Sequence, residues 1–379
     1  MEVTAPRAER ETGKESPPSS ARTFVPAVLV LAGTVVSLVG LSWDAQWHAD
    51  VGPDTFFTLP HLFLYSGSAM SGLTSLAVVL ATTSARRSGR LIDPRVGGHA
   101  VRVFGGTFTA PLGYLVSGTG AAMFLLYGLW DQWWHTLYGF DAVLESPPHI
   151  GLMLSITVTM VGSVLVFAAA KQHRWSTPGL VGSAVVLLSF NFVTVAGLQL
   201  LNGLVNAFLV GMAVLTVLVW FVLGEFTRRA GVLLAVAAGL SVSQVVLWWF
   251  SPWAARIYAD MVDLPLRDYV DGVPVIPALI PMSIVAVAAL AEAVMWAGRK
   301  AGLPVRVTAA SAGALSATLI ASFSPLQDGV VYGAPLPDSA GLFATGLVAA
   351  ASGAFAALAG RRFGALLTGL APETRRQRA

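Results

Sequence analysis

The sequence predicts an all-α, polytopic membrane bundle of about ten transmembrane helices, and three observations carry that expectation. Hydrophobic residues fill 55% of the 379 positions and charged residues only 11%, against roughly 25% charged in soluble domains. Apolar runs long enough to cross the ~30 Å hydrocarbon core recur along nearly the whole chain. The basic residues fall between those runs with a strict alternation. If the N-terminus is inside, 21 of the 23 Lys and Arg lie in inside segments, and only Arg256 and Arg267 lie outside.

The runs cover 25–47, 60–82, 108–135, 148–170, 179–200, 203–224, 230–250, 274–298, 303–323 and 340–360. The stretch from 179 to 224 exceeds one helix and divides at the turn-type pair Asn202-Gly203. Residues 1–22 are polar and mixed in charge, which predicts a cytoplasmic tail without a core of its own. A four-helix unit over 23–175, a six-helix unit over 176–365 and a second tail over 366–379 follow. The longest connections are 83–107, inside, and 251–273, outside; the latter carries Asp260, Asp263, Asp268 and Asp271 and reads as a solvated loop. Pro274, Pro277 and Pro281 predict a kink or loose turn at the start of the eighth run. Of two carboxylates near the inner face, Glu225 and Glu292, the latter is the better functional candidate. Both termini are expected in the cytoplasm. Only Lys14, Lys171 and Lys300 are lysines, an arginine bias that points to a GC-rich bacterial genome and an inner membrane.

Several function classes drop out. The chain has no cysteine, which excludes disulfides, thiolate ligands and thiol catalysis. The net charge of +3 is spread in short clusters and forms no nucleic-acid face.

The chemistry lies in a repeat across the first two outer turns. Trp43-Asp44-Ala45-Gln46-Trp47-His48 with Gly52, Asp54 and Pro60-His61 matches Trp130-Asp131-Gln132-Trp133-Trp134-His135 with Gly139, Asp141 and Pro148-His149. The shared pattern is W-D-x-x-W-H-x3-G-x-D, then P-H, with one residue inserted before the second P-H. Asp and His four apart lie on one helix face. A hairpin then returns His61 to the Asp44–His48 face and His149 to the Asp131–His135 face. Each set offers two imidazoles and one carboxylate, a suitable donor set for a transition metal, copper or iron.

The plainer explanation is an interfacial anchor. Tryptophan is common at membrane surfaces, and Asp, His and Pro suit helix ends. Two copies weigh against it: four of the chain's six histidines occupy matched positions, and capping does not require histidine. His99 and His173 sit in arginine-rich loops at the other end and read as surface residues. If the repeated hairpins pack about a pseudo-two-fold axis, the sets are expected within about 10 Å of each other, as neighbouring sites or one shared dinuclear centre.

The spacing D-x3-H-x12-H of Asp44, His48 and His61 resembles a copper-ligand set in the C subunit of the copper membrane monooxygenases, the family of particulate methane and ammonia monooxygenase. Asp131, His135 and His149 resemble that subunit's other set, with Asp131 where the family usually has Asn. The likeness covers roughly 40–150, the first four helices. It implies copper that activates dioxygen near the outer face, in a membrane oxidase or monooxygenase for a small or lipid-soluble apolar substrate. Trp43, Trp47, Trp130 and Trp134 would then wall the site, with Asp54 and Asp141 behind the ligands. Expected partners are the bilayer and either further monooxygenase subunits or a homo-oligomer. A metal-handling protein or transporter without redox catalysis is the alternative, although no histidine or methionine ladder runs through the mid-membrane.

Overall fold

The computed structural model describes residues 20–52, 54–139, 146–270 and 272–369. Most of both expected tails, and Asp141, lie outside these residues. The order is α1 (Ser20–Asp50), α2 (Leu59–Arg87), β1 (Ala100–Val103), β2 (Phe108–Pro111), α3 (Leu112–Tyr138), α4 (Pro147–Ala169), α5 (Ser176–Ala196), α6 (Ala207–Thr227), α7 (Val232–Met261), α8 (Val275–Leu279), α9 (Ile284–Lys300), α10 (Val305–Tyr332) and α11 (Ser339–Thr368). Among the described residues ten spans are long and apolar enough to cross a membrane, α8 and α9 together making one of them. The chain is an all-α, multi-pass membrane protein.

Three details depart from the expected boundaries. The third helix starts at Leu112, not 108, because Phe108–Pro111 pairs antiparallel with Ala100–Val103. Thr83 on α2 pins that ribbon: its hydroxyl accepts from the Thr109 N–H at 2.9 Å and donates to the Thr109 carbonyl at 3.2 Å. The outer loop expected from 251 begins only after Met261, since α7 continues through Pro252. This extension supplies the surface on which α1 packs. Trp43 sits edge-on to Phe63, Phe250 and Tyr258, and Trp47 lies 4.8 Å from the Tyr258 ring. Glu292 accepts from the Leu233 N–H in the first turn of α7, while Glu225 pairs with Arg361 at 2.7 Å.

The proline cluster breaks the eighth span as expected. Ile280 is extended (φ −74°, ψ 123°) between α8 and α9. A break at membrane depth exposes carbonyls that lipid cannot satisfy. Two glutamines from neighbouring helices take them. Gln244 on α7 donates to the Pro277 and Ile280 carbonyls, and Gln327 on α10 donates to those of Ala278 and Ile280.

Within each N-terminal hairpin the backbones approach closely at small residues, as membrane helices do when apolar burial gives little driving force. A Cβ on Gly33 of α1 would overlap the Ser71 hydroxyl and reach 2.6 Å from the Gly67 carbonyl oxygen on α2. A Cβ on Gly120 of α3 would lie 2.5 Å from the Thr159 backbone nitrogen and 2.6 Å from the Ser155 carbonyl oxygen on α4. One hydrophobic core then runs from Ala27 on α1 through α4–α7 to Ala357 on α11, so the four-helix and six-helix portions share it.

Gly120→Ala is expected to force α3 from α4 and cost about 1–3 kcal/mol, the usual penalty for overpacking. Gly128→Ala, which meets only Leu152 Cδ2 at 3.9 Å, should be neutral or mildly stabilising. Thermal melts of the two variants in detergent check the difference.

Candidate metal centres

The local sequence explains how each hairpin presents its ligands. Pro60 and Pro148 stand in the first turns of α2 and α4, where a missing N–H costs nothing and φ is already helical. His61 and His149 follow directly. In the second hairpin the Ser146 hydroxyl caps α4 by accepting from the His149 N–H. The repeat's glycine closes the preceding helix: Gly52 and Gly139 have φ of +103° and +86°, a conformation L side chains resist.

In the first set Asp44, His48, Asp54 and His61 each aim one donor atom into a common space, all within 4.8 Å of one another. Asp44 Oδ1 lies 3.1 Å from His61 Nε2 and 3.9 Å from His48 Nε2. Asp54 Oδ2 lies 3.2 Å from each of those nitrogens. Asp54 is thus a direct member of the set and not a residue behind it. Its side chain is 4% exposed, so it is turned inward instead of solvated on the loop. Burial works to raise its carboxyl, but contact with His48, the nearby His61 and the Thr58 hydroxyl hold it below the usual carboxylate range.

In the second set Asp131, His135 and His149 also converge within 4.8 Å. Asp131 Oδ2 is 3.3 Å from His135 Nε2, and Oδ1 is 3.4 Å from His149 Nε2. The ligand atoms form two separate groups, where the sequence left a shared centre open. Tyr65, one turn beyond His61, stands between them. Its ring is 6.0 Å from those of His61 and of Phe124 on α3, and its hydroxyl is within electrostatic reach of Asp44, Asp54 and Asp131.

The other nitrogens of the histidines decide what the sets can do. His61 Nδ1 lies 3.0 Å from the Thr55 carbonyl oxygen, and His135 Nδ1 lies 2.9 Å from that of Gly139. A carbonyl only accepts, so each Nδ1 carries the proton, and a neutral ring then turns the Nε2 lone pair toward the carboxylates. His61 Nε2 faces Asp44 Oδ1 and His135 Nε2 faces Asp131 Oδ2, and Oδ1 of each aspartate is buried and receives no hydrogen bond. Lone pair faces lone pair, an arrangement that a bound cation or a protonated imidazole relieves. The residues present fit a transition metal: two imidazole nitrogens with two carboxylates in the first set and one in the second.

The tryptophans divide. Trp43 and Trp47 are buried against α7 and clamp α1. Trp130 is 38% exposed and joins Tyr127, Trp134 and Tyr138 in a chain of ring contacts along α3. Between α5 and α6, Asn206 caps α6 by accepting from the Leu209 N–H, and Asn202 accepts from the Phe208 N–H.

Arg267 and Gln46 act on the first set without being legible as doing so. The Arg267 N–H donates to the Asp50 carbonyl and its Nη1 to the His48 carbonyl, both at 2.8 Å, and its guanidinium packs on Gly52. Gln46 donates to Asp50 Oδ1 and accepts from the Val275 N–H of α8. The sequence signal was present for Arg267: it is one of the two basic residues that break the inside pattern.

In comparisons with known proteins, no family model, no curated protein and no solved structure matches the chain.

Arg267→Ala removes the clamp on the ligand-bearing end of α1. It is expected to weaken metal affinity of the first set about 10–100-fold, as loss of outer-shell partners does, and to leave the second set unchanged. Metal titration of the variant with the other set disabled by His135→Ala, and then by His61→Ala, separates the two.

Proposed function

We propose that the chain is a membrane metalloprotein with two transition-metal sites at one end of the bundle, loaded with copper, and that it serves as a copper-dependent oxidase or monooxygenase, or its metal-bearing subunit, for a small or lipid-soluble apolar substrate. The observation that carries the metal reading is the twice-repeated convergence of two imidazole nitrogens and a carboxylate oxygen within 4.8 Å, each set having one Nδ1-anchored histidine and one buried aspartate Oδ1 that receives no hydrogen bond. Imidazole-rich sets suit copper, and the spacing resembles that of the copper membrane monooxygenases. Copper in such a site supplies dioxygen and one-electron chemistry.

The chain's own residues have defined parts in this reading. The Thr55 and Gly139 carbonyls orient His61 and His135. Asp44, Asp54 and Asp131 provide the negative charge that holds a cation. Trp43 and Trp47, packed on α7, shut water out beneath the first set. The exposed aromatic face of α3 around Trp130 and Trp133 lies where a lipid-soluble substrate approaches. A second reading has one observation in its favour. Asp54 gives the first set a second carboxylate, a harder donor set that suits iron.

Metal analysis of purified protein with electron paramagnetic resonance is expected to find up to two copper ions per chain. His61→Ala should remove one and His135→Ala the other. Occupancy should fall on acidification, because imidazolium does not bind metal and protons compete with it at each histidine. Wild-type protein free of metal after copper or iron loading would end the metal reading. Iron at the first set alone would favour the second.

The arginine alternation supports a topology with both termini in the cytoplasm and the sets on the outer side. A cysteine at Phe57, a residue of the same turn that is 72% exposed, should therefore react with an impermeant thiol reagent in intact cells, and one at Arg90 should not. Reversed labelling would put the sets on the cytoplasmic side.

A further inference from the structure

At the arginine-rich end, away from both ligand sets, a cavity of about 770 Å³ opens between α1, α5 and α7. Its wall on α7 runs from Ala235 to Leu247, about 18 Å of helix at 1.5 Å per residue. That is close to the ~15 Å depth of one leaflet's hydrocarbon. The wall is apolar almost throughout, with valines and leucines of all three helices, and is open on the side of Val242 and Val246, which are 64% and 57% exposed.

One feature of the lining is not apolar. Arg174, from the turn between α4 and α5, and Arg229, from the turn between α6 and α7, both line the cavity at one mouth. Among the described residues neither has a carboxylate partner, whereas Arg361 is held by Glu225 and Arg95 by Asp93. Lys171 is close by in sequence, but its ammonium is occupied by the Phe226 carbonyl and ring. Two guanidinium groups with no carboxylate partner among the described residues, above a leaflet-deep apolar groove, match one kind of membrane molecule in both charge and shape.

We propose that this groove binds an anionic phospholipid, with the headgroup phosphate between Arg174 and Arg229 and an acyl chain along α1, α5 and α7. Guanidinium groups pair with phosphate in a fixed fork geometry. The acyl chain fills the space between α1, which carries Asp44 and His48 at its far end, and the helices α5 and α7. The lipid thereby becomes part of the junction between the repeated hairpins and the rest of the bundle. This inference does not depend on the metal reading.

The test is lipid retention by the full chain reconstituted in nanodiscs of equimolar phosphatidylglycerol and phosphatidylcholine, then read by native mass spectrometry after mild detergent transfer. Each basic residue near a membrane surface contributes about a fivefold preference for anionic lipid. The wild type should therefore retain phosphatidylglycerol over phosphatidylcholine by about tenfold or more. Arg174→Gln/Arg229→Gln should bring the two lipids close to parity. Val242→Trp, which narrows the groove from its open side, should lower retention of both. Arg90→Gln, an exposed arginine at the same end but outside the groove, should change nothing, and inorganic phosphate should not displace the lipid. Circular dichroism confirms that each variant is folded. Equal retention of the two lipids by the wild type, an undiminished preference in the double variant, loss of preference in Arg90→Gln, or displacement by inorganic phosphate each overturns the proposal.

Discussion

In a bilayer, two helices gain little by burying apolar side chains against each other, so what fixes a hairpin is how closely its backbones meet. Here that contact is made twice in the same register. Gly33 lies eleven residues before Asp44, and Gly120 eleven before Asp131. The residues they touch, Gly67 and Ser71 on α2 and Ser155 and Thr159 on α4, lie six and ten residues after His61 and His149. With the crossing point set at equal distance from both motifs, the outer ends of the two helices in each pair must also meet at the same relative height. The histidine that opens the second helix therefore arrives opposite the Asp–His face that closes the first. Deep in the bundle, glycine and serine thus determine the geometry of ligand atoms several turns away.

The turns of the two hairpins complete that geometry by fixing which nitrogen faces inward. Placing an ionised carboxylate in a partly desolvated pocket is costly unless its charge is met. Each set holds such carboxylates with their oxygens toward imidazole Nε2 atoms, while the Nδ1 atoms of His61 and His135 are committed to backbone carbonyls. Had those carbonyls been directed elsewhere, the rings could rotate or change tautomer and satisfy the aspartates directly. The anchoring removes that escape and leaves a region of concentrated negative charge. The first set, with Asp44 and Asp54, carries one more negative charge than the Asp131 set has among the described residues.

Much of this was legible from residue types and spacing, and the exceptions have physical reasons. All ten spans, the break at the proline cluster and the grouping of each Asp with its two His follow from hydropathy, charge alternation and the i, i+4 rule. The inward turn of Asp54 does not, because it depends on the path of a short loop in which Thr55 and Thr58 bond each other and Thr55 accepts from His61. Nor does the length of α7 past Pro252. Hydropathy ends that helix where charged residues begin, but Trp43 and Trp47 of α1 require an apolar partner surface there, and Ala254, Ala255 and Ala259 provide it. The glycine register of the hairpins was visible in principle. It emerges only when the two copies are aligned on the aspartates and histidines instead of on overall hydropathy.

The two sets also differ in how firmly the rest of the bundle holds them. Around the first, three later segments converge on the end of α1: the α7 extension packs on its tryptophans, Arg267 binds the carbonyls of His48 and Asp50, and Gln46 takes the first free N–H of the interrupted span at Val275. Gln46 is two residues from Asp44 and so points to the opposite side of the helix, which lets one turn of α1 serve the ligand cluster and the break in α8–α9 at once. The second set has a different environment. Trp130 and Trp133 on the same turns of α3 are 38% and 54% exposed. Ligand geometry is maintained best where supporting groups are themselves locked, and access is easiest where they are not. The end of α1 is thus a braced site and the end of α3 a more open one, with Tyr65 between them.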